Sequence, residues 1–148
     1  MPPAPRFSIP CRIYWEDTDA GGVVYYANYL KFLERARTEW LRSCGFSQQA
    51  LAQDPGIIFP VVDVTIHYRR PARLDDELLV SCTAQRHGAT AIRFVQCISR
   101  HTRGAAFDAE TLAEAQVRVV CVDAGTFRPK RLPSFLTNAL AAPELPLT

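Results

Sequence analysis

One long amphipathic segment constrains the fold of this chain more than any other feature. From Asn28 to Cys44, apolar residues recur at helical spacing: Tyr29, Phe32, Leu33, Ala36, Trp40 and Cys44. Such a period places them in one stripe along a helix, with Lys31, Glu34, Arg35, Thr38 and Arg42 on the opposite face. Arg35 and Glu39 stand one turn apart, close enough to pair. Gly45 supplies the stop. One strand-like run, Phe7 to Trp15, precedes this helix, and a polar connector, Ser47 to Gly56, follows it. Four more strand candidates then come in succession: Ile57 to Tyr68, Leu78 to Arg86, Ala91 to Ser99 and Ala113 to Val122. Turn chemistry separates them, at Pro71 with Asp75-Asp76-Glu77, at His87-Gly88 and at Thr102-Arg103-Gly104. Consecutive strands with short links pair antiparallel, so the pattern predicts an α+β domain: a five-stranded antiparallel sheet packed on one helix. The tail from about residue 128 carries Pro129, Pro133, Pro143 and Pro146 and is expected to be mostly irregular.

The 148 residues suffice for one domain, 1–148, with a proper core. A net charge of +2 is too small to argue for a nucleic-acid partner or an anionic membrane. No window approaches the ~20 apolar residues of a membrane span. The start, Met1-Pro2-Pro3-Ala4-Pro5-Arg6, lacks the apolar stretch of a signal peptide. Cysteines stand at 11, 44, 82, 97 and 121 without a Cys-x-x-Cys pair, which suggests neither a disulfide framework nor a zinc site. These features fit a cytoplasmic protein.

The chemistry concentrates just before the helix, in Glu16-Asp17-Thr18-Asp19-Ala20-Gly21-Gly22-Val23-Val24-Tyr25-Tyr26-Ala27-Asn28-Tyr29. The order sets a carboxylate beside the unpaired backbone N–H groups of a helix start, where the helix dipole also favours negative charge. A carboxylate next to such an anion hole is minimal equipment for acyl transfer. Read by the residues alone, Asp17, Thr18 and Asp19 equally form a turn and a cap. Gly21 and Gly22 permit either a tight turn or a close backbone approach.

This motif resembles that of the aspartate-type hotdog acyl-CoA thioesterases, which include the 4-hydroxybenzoyl-CoA thioesterases and the thioesterases associated with the Tol-Pal envelope system. Further pieces carry the resemblance in order: Phe32-Leu33-Glu34-Arg35-Ala36-Arg37-Thr38-Glu39, then Tyr68-Arg69-Arg70-Pro71-Ala72-Arg73-Leu74-Asp75-Asp76, then Val119-Val120-Cys121-Val122-Asp123, then Arg128-Pro129 and Leu132-Pro133. The resemblance implies the hotdog fold, a sheet wrapped around the long helix. It implies a thioester hydrolase in which Asp19 is the catalytic carboxylate, as nucleophile or as general base on water, and in which the backbone N–H of Tyr26 faces the thioester carbonyl. Asp17 is then structural, and Glu16 is solvated or ion-paired. Gly21, Gly22, Val23 and Tyr25 would line the substrate on the same segment. Several Tol-Pal-associated members carry His where this chain has Tyr26, so the acyl group is open; short-to-medium aliphatic groups rank first and aromatic ones second. Coenzyme A enters as part of the substrate, with no separate cofactor and no metal. Its phosphates call for basic residues, and the candidates are Arg86, His87, Arg93, Lys130 and Arg131. Gly88-Ala89-Thr90 stands where the 4-hydroxybenzoyl-CoA enzymes carry a basic cluster. The resemblance further implies a homo-oligomer, a dimer or a dimer of dimers, in which Asp19 of one chain works beside Pro60 and Val61 in the Ile57 to Val62 region of its neighbour.

Other constellations carry less. Nothing in the spacing places Cys44 or Cys121 beside His67, His87 or His101. There is no Gly-x-Ser-x-Gly elbow. Two further function classes remain: a hotdog dehydratase, although the helix lacks the catalytic His such enzymes use, and a non-catalytic acyl-CoA-binding or scaffold protein of the cell envelope.

Overall fold

The structure, a computed structural model, describes residues 7–101 and 110–141. Its main sheet has five antiparallel strands in the order β1-β4-β5-β6-β3. These are β1 (Phe7–Arg12), β3 (Val61–Tyr68), β4 (Glu77–His87), β5 (Ala91–Arg100) and β6 (Glu110–Val120). A separate two-stranded ribbon pairs β2 (Ile57–Ile58) with β7 (Val122–Asp123). The long helix α1 (Asn28–Ser43) packs against β1 and β4 of the sheet, and two short helices, α2 (Gln48–Gln53) and α3 (Ser134–Ala141), are also present. This is the hotdog arrangement expected from the motif resemblance.

The core forms where the helix stripe meets the inward residues of the strands. Tyr29, Phe32, Leu33, Ala36 and Leu41 are buried from α1. Leu78, Val80 and Cys82 from β4 meet them, with Ile92, Phe94 and Ile98 from β5. Alternation along β4 and β5 follows from the two-residue period of a strand. Among the described residues, one polar side chain, Gln96, enters this core. Gln96 is 1% exposed, and it is satisfied: its amide donates to the Leu33 and Ser81 carbonyls, while its oxygen accepts from Arg37 Nη1 at 3.1 Å. Burial holds the Arg37 guanidinium below its ordinary pKa.

Several expectations need correction. The first strand ends at Arg12 rather than Trp15, because Trp15–Asp17 turns into a 3-10 segment; the Asp17 carboxylate accepts the Tyr14 N–H at 2.8 Å and draws the chain out of the sheet. The polar connector contains α2, capped by the Ser47 hydroxyl accepting from Ala50 N–H and anchored by buried Leu51. The Ile57 to Tyr68 run is not one strand: it breaks at Phe59-Pro60, and its two halves belong to different sheets. Among its described residues, the tail is not irregular throughout. It includes α3, whose Leu136 is fully buried and whose Phe135 ring lies 4.5 Å from that of Phe46. On α1, Leu41 is buried where Trp40 and Cys44 are only half-buried. Glu39 pairs with Arg42, not Arg35; the Arg35 guanidinium lies over the Phe32 ring instead. The expected turn at 102–104 lies outside the described residues.

Candidate active site

The acidic segment is held by three backbone ties. Asp19 N–H donates to the Val23 carbonyl at 2.8 Å, Gly22 N–H to the Asp19 carbonyl at 3.0 Å, and Tyr25 N–H to the Asp17 carbonyl at 3.0 Å. The Asp19 carboxylate is exposed and, among the described residues, accepts a single hydrogen bond, from Gly21 N–H at 2.8 Å. Gly22 takes a φ of +80°, in the left-handed region where a side chain is strained. A Cβ at Gly21 would sit 3.2 Å from the Asp19 carboxylate oxygen, so glycine keeps that oxygen approachable.

The same segment then becomes the start of α1. Asn28 N–H donates to the Tyr25 carbonyl at 2.8 Å, closing the first turn. Among the described residues, the N–H groups of Tyr26 and Ala27 have no acceptor. They are the orphan donors of a helix start, with the positive end of the dipole behind them. The Asn28 side chain does not cap the helix; it donates to the Asp17 carbonyl at 2.9 Å and so ties the acidic turn to the helix. Tyr26 is 62% exposed, and its carbonyl accepts the Tyr68 hydroxyl at 2.9 Å. Tyr25, Tyr26, Tyr68 and Tyr29 form a continuous aromatic wall, with successive ring centroids 4.9, 6.3 and 5.3 Å apart. Neighbouring Tyr26 pushes the Tyr25 phenol above its ordinary pKa.

Asp19, Gly21, Gly22, Val23, Tyr25 and Tyr26 are thus gathered at one end of the molecule. Pro60, Val61, Arg86, His87 and Arg93 are not there. Pairing runs from Val61 to Val119, Ile92 and Arg86 across the sheet, whereas Tyr68, beside Tyr26, pairs with Ala113 at the other end. The 16 residues of α1 separate the two ends within one chain, about 24 Å at the usual helical rise. At the far end, Val61 lines a pocket of about 130 Å³ with Glu34, Trp40, Phe59 and Phe94. Arg93 and His87 line a shallow depression on the outer sheet face with Arg118. Arg86 Nε donates to the Gly88 carbonyl of its own turn. Lys130 lies 3.8 Å from Asp123, and Arg131 is exposed. His67 is exposed on β3.

Sequence reasoning missed the supporting loop. Ala72 is fully buried; its carbonyl accepts Val24 N–H at 2.8 Å and its own N–H donates to the Tyr29 hydroxyl at 3.0 Å. Arg73 bridges Val23. The signal was present in Tyr68-Arg69-Arg70-Pro71-Ala72-Arg73, but no residue type in it declares a backbone role. Among the described residues no group of His, Cys, Asp and Glu is placed to hold a metal ion, and no helix is long and apolar enough to cross a membrane.

The model of the thioesterase-like superfamily matches residues 13–140. The acyl-CoA thioesterase YbgC of Haemophilus influenzae is 44% identical over 127 residues, covering 86% of this chain and 88% of that protein. The acyl-CoA thioester hydrolase YbgC of Escherichia coli is 46% identical over 129 residues, covering 86% and 90%. Among solved structures, that of Slr0204, a 1,4-dihydroxy-2-naphthoyl-CoA thioesterase from Synechocystis, superposes with a TM-score of 0.84 at 29% identity, over 96% of this chain and 100% of that one.

Proposed function

This chain belongs to the thioesterase-like superfamily and is a thioester hydrolase of the acyl-CoA class, and we propose that it cleaves short acyl-CoAs with Asp19 as its catalytic carboxylate. The observation that carries the reading is the pairing of an exposed, singly bonded carboxylate with two acceptor-free N–H groups one short turn away. The carboxylate either attacks the thioester carbon, releasing the CoA thiolate and giving a mixed anhydride that water then cleaves to free acid and the regenerated carboxylate, or takes a proton from a water that attacks that carbon. In both routes the carbonyl oxygen becomes an oxyanion, which the acceptor-free Tyr26 and Ala27 N–H groups would stabilise. Released acid and CoA are the products; neither metal nor separate cofactor enters a step.

The active unit is proposed to be a dimer or a dimer of dimers, and β3 supports this. It is an edge strand of the main sheet, with Val61, Val62, Val64 and Tyr68 all exposed. An exposed apolar edge is a pairing template. Two copies of β3 pairing antiparallel about a two-fold axis would set Val61 of one chain opposite Tyr68 of the other. That operation brings the far-end pocket of one protomer beside the Asp19 turn of its partner, completing a site that one chain splits between its ends. The pocket of about 130 Å³ supports a short acyl group, since a cavity of about 150 Å³ accommodates one benzene ring. Arg86, His87 and Arg93 then lie on the same end as that pocket, where the CoA phosphates would run.

The test is a panel of acyl-CoAs with native protein and Asp19→Asn. Asp19→Asn is expected to lose at least ~100-fold in kcat with the fold intact. Near-normal hydrolysis by folded Asp19→Asn would sink the assignment, and a strong preference for 4-hydroxybenzoyl-CoA would overturn the ranking of acyl groups.

A further inference from the structure

We infer that Arg100, which sits outside the site, is a positioning residue that sets Asp19 against the start of α1. The inference rests on the assignment of Asp19. Arg100 ends β5, and its guanidinium is largely shielded, with a side-chain exposure of 22%. It serves three acceptors: Nε donates to Asp76 Oδ2 at 2.9 Å, Nη1 to Glu110 Oε2 at 2.7 Å, and Nη2 to the Pro71 carbonyl. A planar fork with donors in several directions suits this task, and a lysine ammonium does not reproduce it.

What Arg100 grips is the loop from Pro71 to Asp76. The carboxylate that it holds, Asp76 Oδ2, also accepts the Arg73 N–H at 2.8 Å. The loop is therefore clamped at Pro71 by its carbonyl, at Arg73 by its amide and at Asp76 by its side chain. Between those clamps lie the two residues that face the site. Ala72 accepts from Val24 N–H, Arg73 bridges Val23, and the Val23 carbonyl takes the Asp19 N–H. From the loop that the Arg100 side chain grips, one path thus runs on to the Asp19 turn through backbone hydrogen bonds. The second path leaves from the same residue: Ala72 N–H donates to the Tyr29 hydroxyl on the first turn of α1. The carboxylate and the oxyanion donors hang from one residue, Ala72, through its carbonyl and its N–H, and Arg100 grips the loop on both sides of it, at Pro71 and Asp76, while Arg12 Nη1 adds a bond to the Asp75 carbonyl at 2.8 Å. A shift of the loop moves the two halves of the site relative to each other, and geometry of this kind governs the rate of the chemical step more than the binding of substrate.

The test uses the full chain and butyryl-CoA, with kcat and KM measured for native protein, Arg100→Lys, Asp19→Asn and the double variant, and circular dichroism on each. Arg100→Lys is expected to lose about 10- to 100-fold in kcat with KM changed less than about threefold. In the Asp19→Asn background it is expected to cost less than about twofold more, because a residue acting through Asp19 has nothing left to position. Arg42→Met, which removes a surface pair at the other end of α1, is expected to leave kcat unchanged. A folded Arg100→Lys with native kcat overturns the inference, as does a full additive loss in the double variant, which marks a structural role only. If Arg100→Lys does not fold, Asp76→Asn is read by the same split and the same cycle. If Asp19→Asn itself turns over normally, the parent assignment has failed, an outcome distinct from a silent Arg100→Lys beside an inactive Asp19→Asn.

Discussion

Tyr29→Phe removes one oxygen atom and tests whether the loop from Pro71 to Asp76 is held to α1 by a hydrogen bond or by packing alone. Tyr29 is 3% exposed and Ala72 0%, and the Tyr29 hydroxyl accepts the Ala72 N–H at 3.0 Å. Phenylalanine keeps the ring contacts with Phe32 and Tyr68, at centroid distances of 6.1 and 5.3 Å. What it loses is the only acceptor, among the described residues, of a buried N–H. Leaving a buried donor unsatisfied costs ~1–3 kcal/mol. Relief of the hydroxyl's own burial, which also pushes the Tyr29 phenol above its ordinary pKa, offsets part of this. A net loss of ~2 kcal/mol corresponds to a fall in Tm of roughly 6 °C for a chain of this length. The assay is thermal unfolding followed by circular dichroism at fixed protein concentration, because an oligomer makes Tm concentration-dependent. Tyr68→Phe is the matched control. Its hydroxyl donates to the Tyr26 carbonyl at 2.9 Å, but Tyr68 is 44% exposed, so water replaces the bond at ~0.5 kcal/mol or less. A drop below about 1 °C for Tyr29→Phe, or equal drops for both variants, would refute the reasoning.

Three further outcomes are expected. Asp17→Ala removes the acceptor of the Tyr14 N–H and should destabilise by ~1 kcal/mol while kcat stays within a few-fold of native; chemical denaturation beside kinetics checks it, and a catalytic collapse without loss of stability would contradict the structural role. Burial pushes the Cys82 thiol up to about 12. The folded chain then keeps a proton that the unfolded chain releases near pH 9, so this contribution to stability is present below pH 9 and is lost as pH rises toward 12. Iodoacetamide at pH 8 should leave Cys82 unmodified until urea is added, and mass mapping of the peptides decides. Light scattering at micromolar concentration should give two or four chains, and Val64→Lys on the free edge of β3 should lower both mass and turnover; a species near 16.6 kDa with full activity would refute the shared site.

Local pattern determined much of this protein. The 3.6-residue period of Tyr29, Phe32, Leu33 and Ala36 dictates a helix with one buried face, and α1 runs from Asn28 to Ser43. The two-residue alternation from Leu78 to Cys82 and from Ile92 to Ile98 dictates strands, and β4 and β5 lie where it stands. Asp19 before Gly21-Gly22 at a helix start was legible as a candidate carboxylate, because its neighbours in space are also its neighbours in the chain. Tertiary structure decided the rest. The run from Ile57 to Tyr68 reads as one strand by its apolar content, but Pro60 has no N–H to give a ladder, and the segments on either side of it pair with different partners, β7 and β6. Helix α2 depends on the Ser47 cap and on a core pocket for Leu51, and α3 on burial of Leu136. Neither signal outweighs polar or proline-rich composition within a short window. The separation of Val61 and Arg86 from Asp19, and the support lent by Ala72 and Arg100, lie in pairings between residues 24 and 72 or 76 and 100. The tie between 24 and 72 joins a backbone N–H to a carbonyl, groups that are the same in every residue and leave no mark on side-chain identity; the ion pair between Asp76 and Arg100 joins side chains 24 positions apart, which only the closed chain brings together.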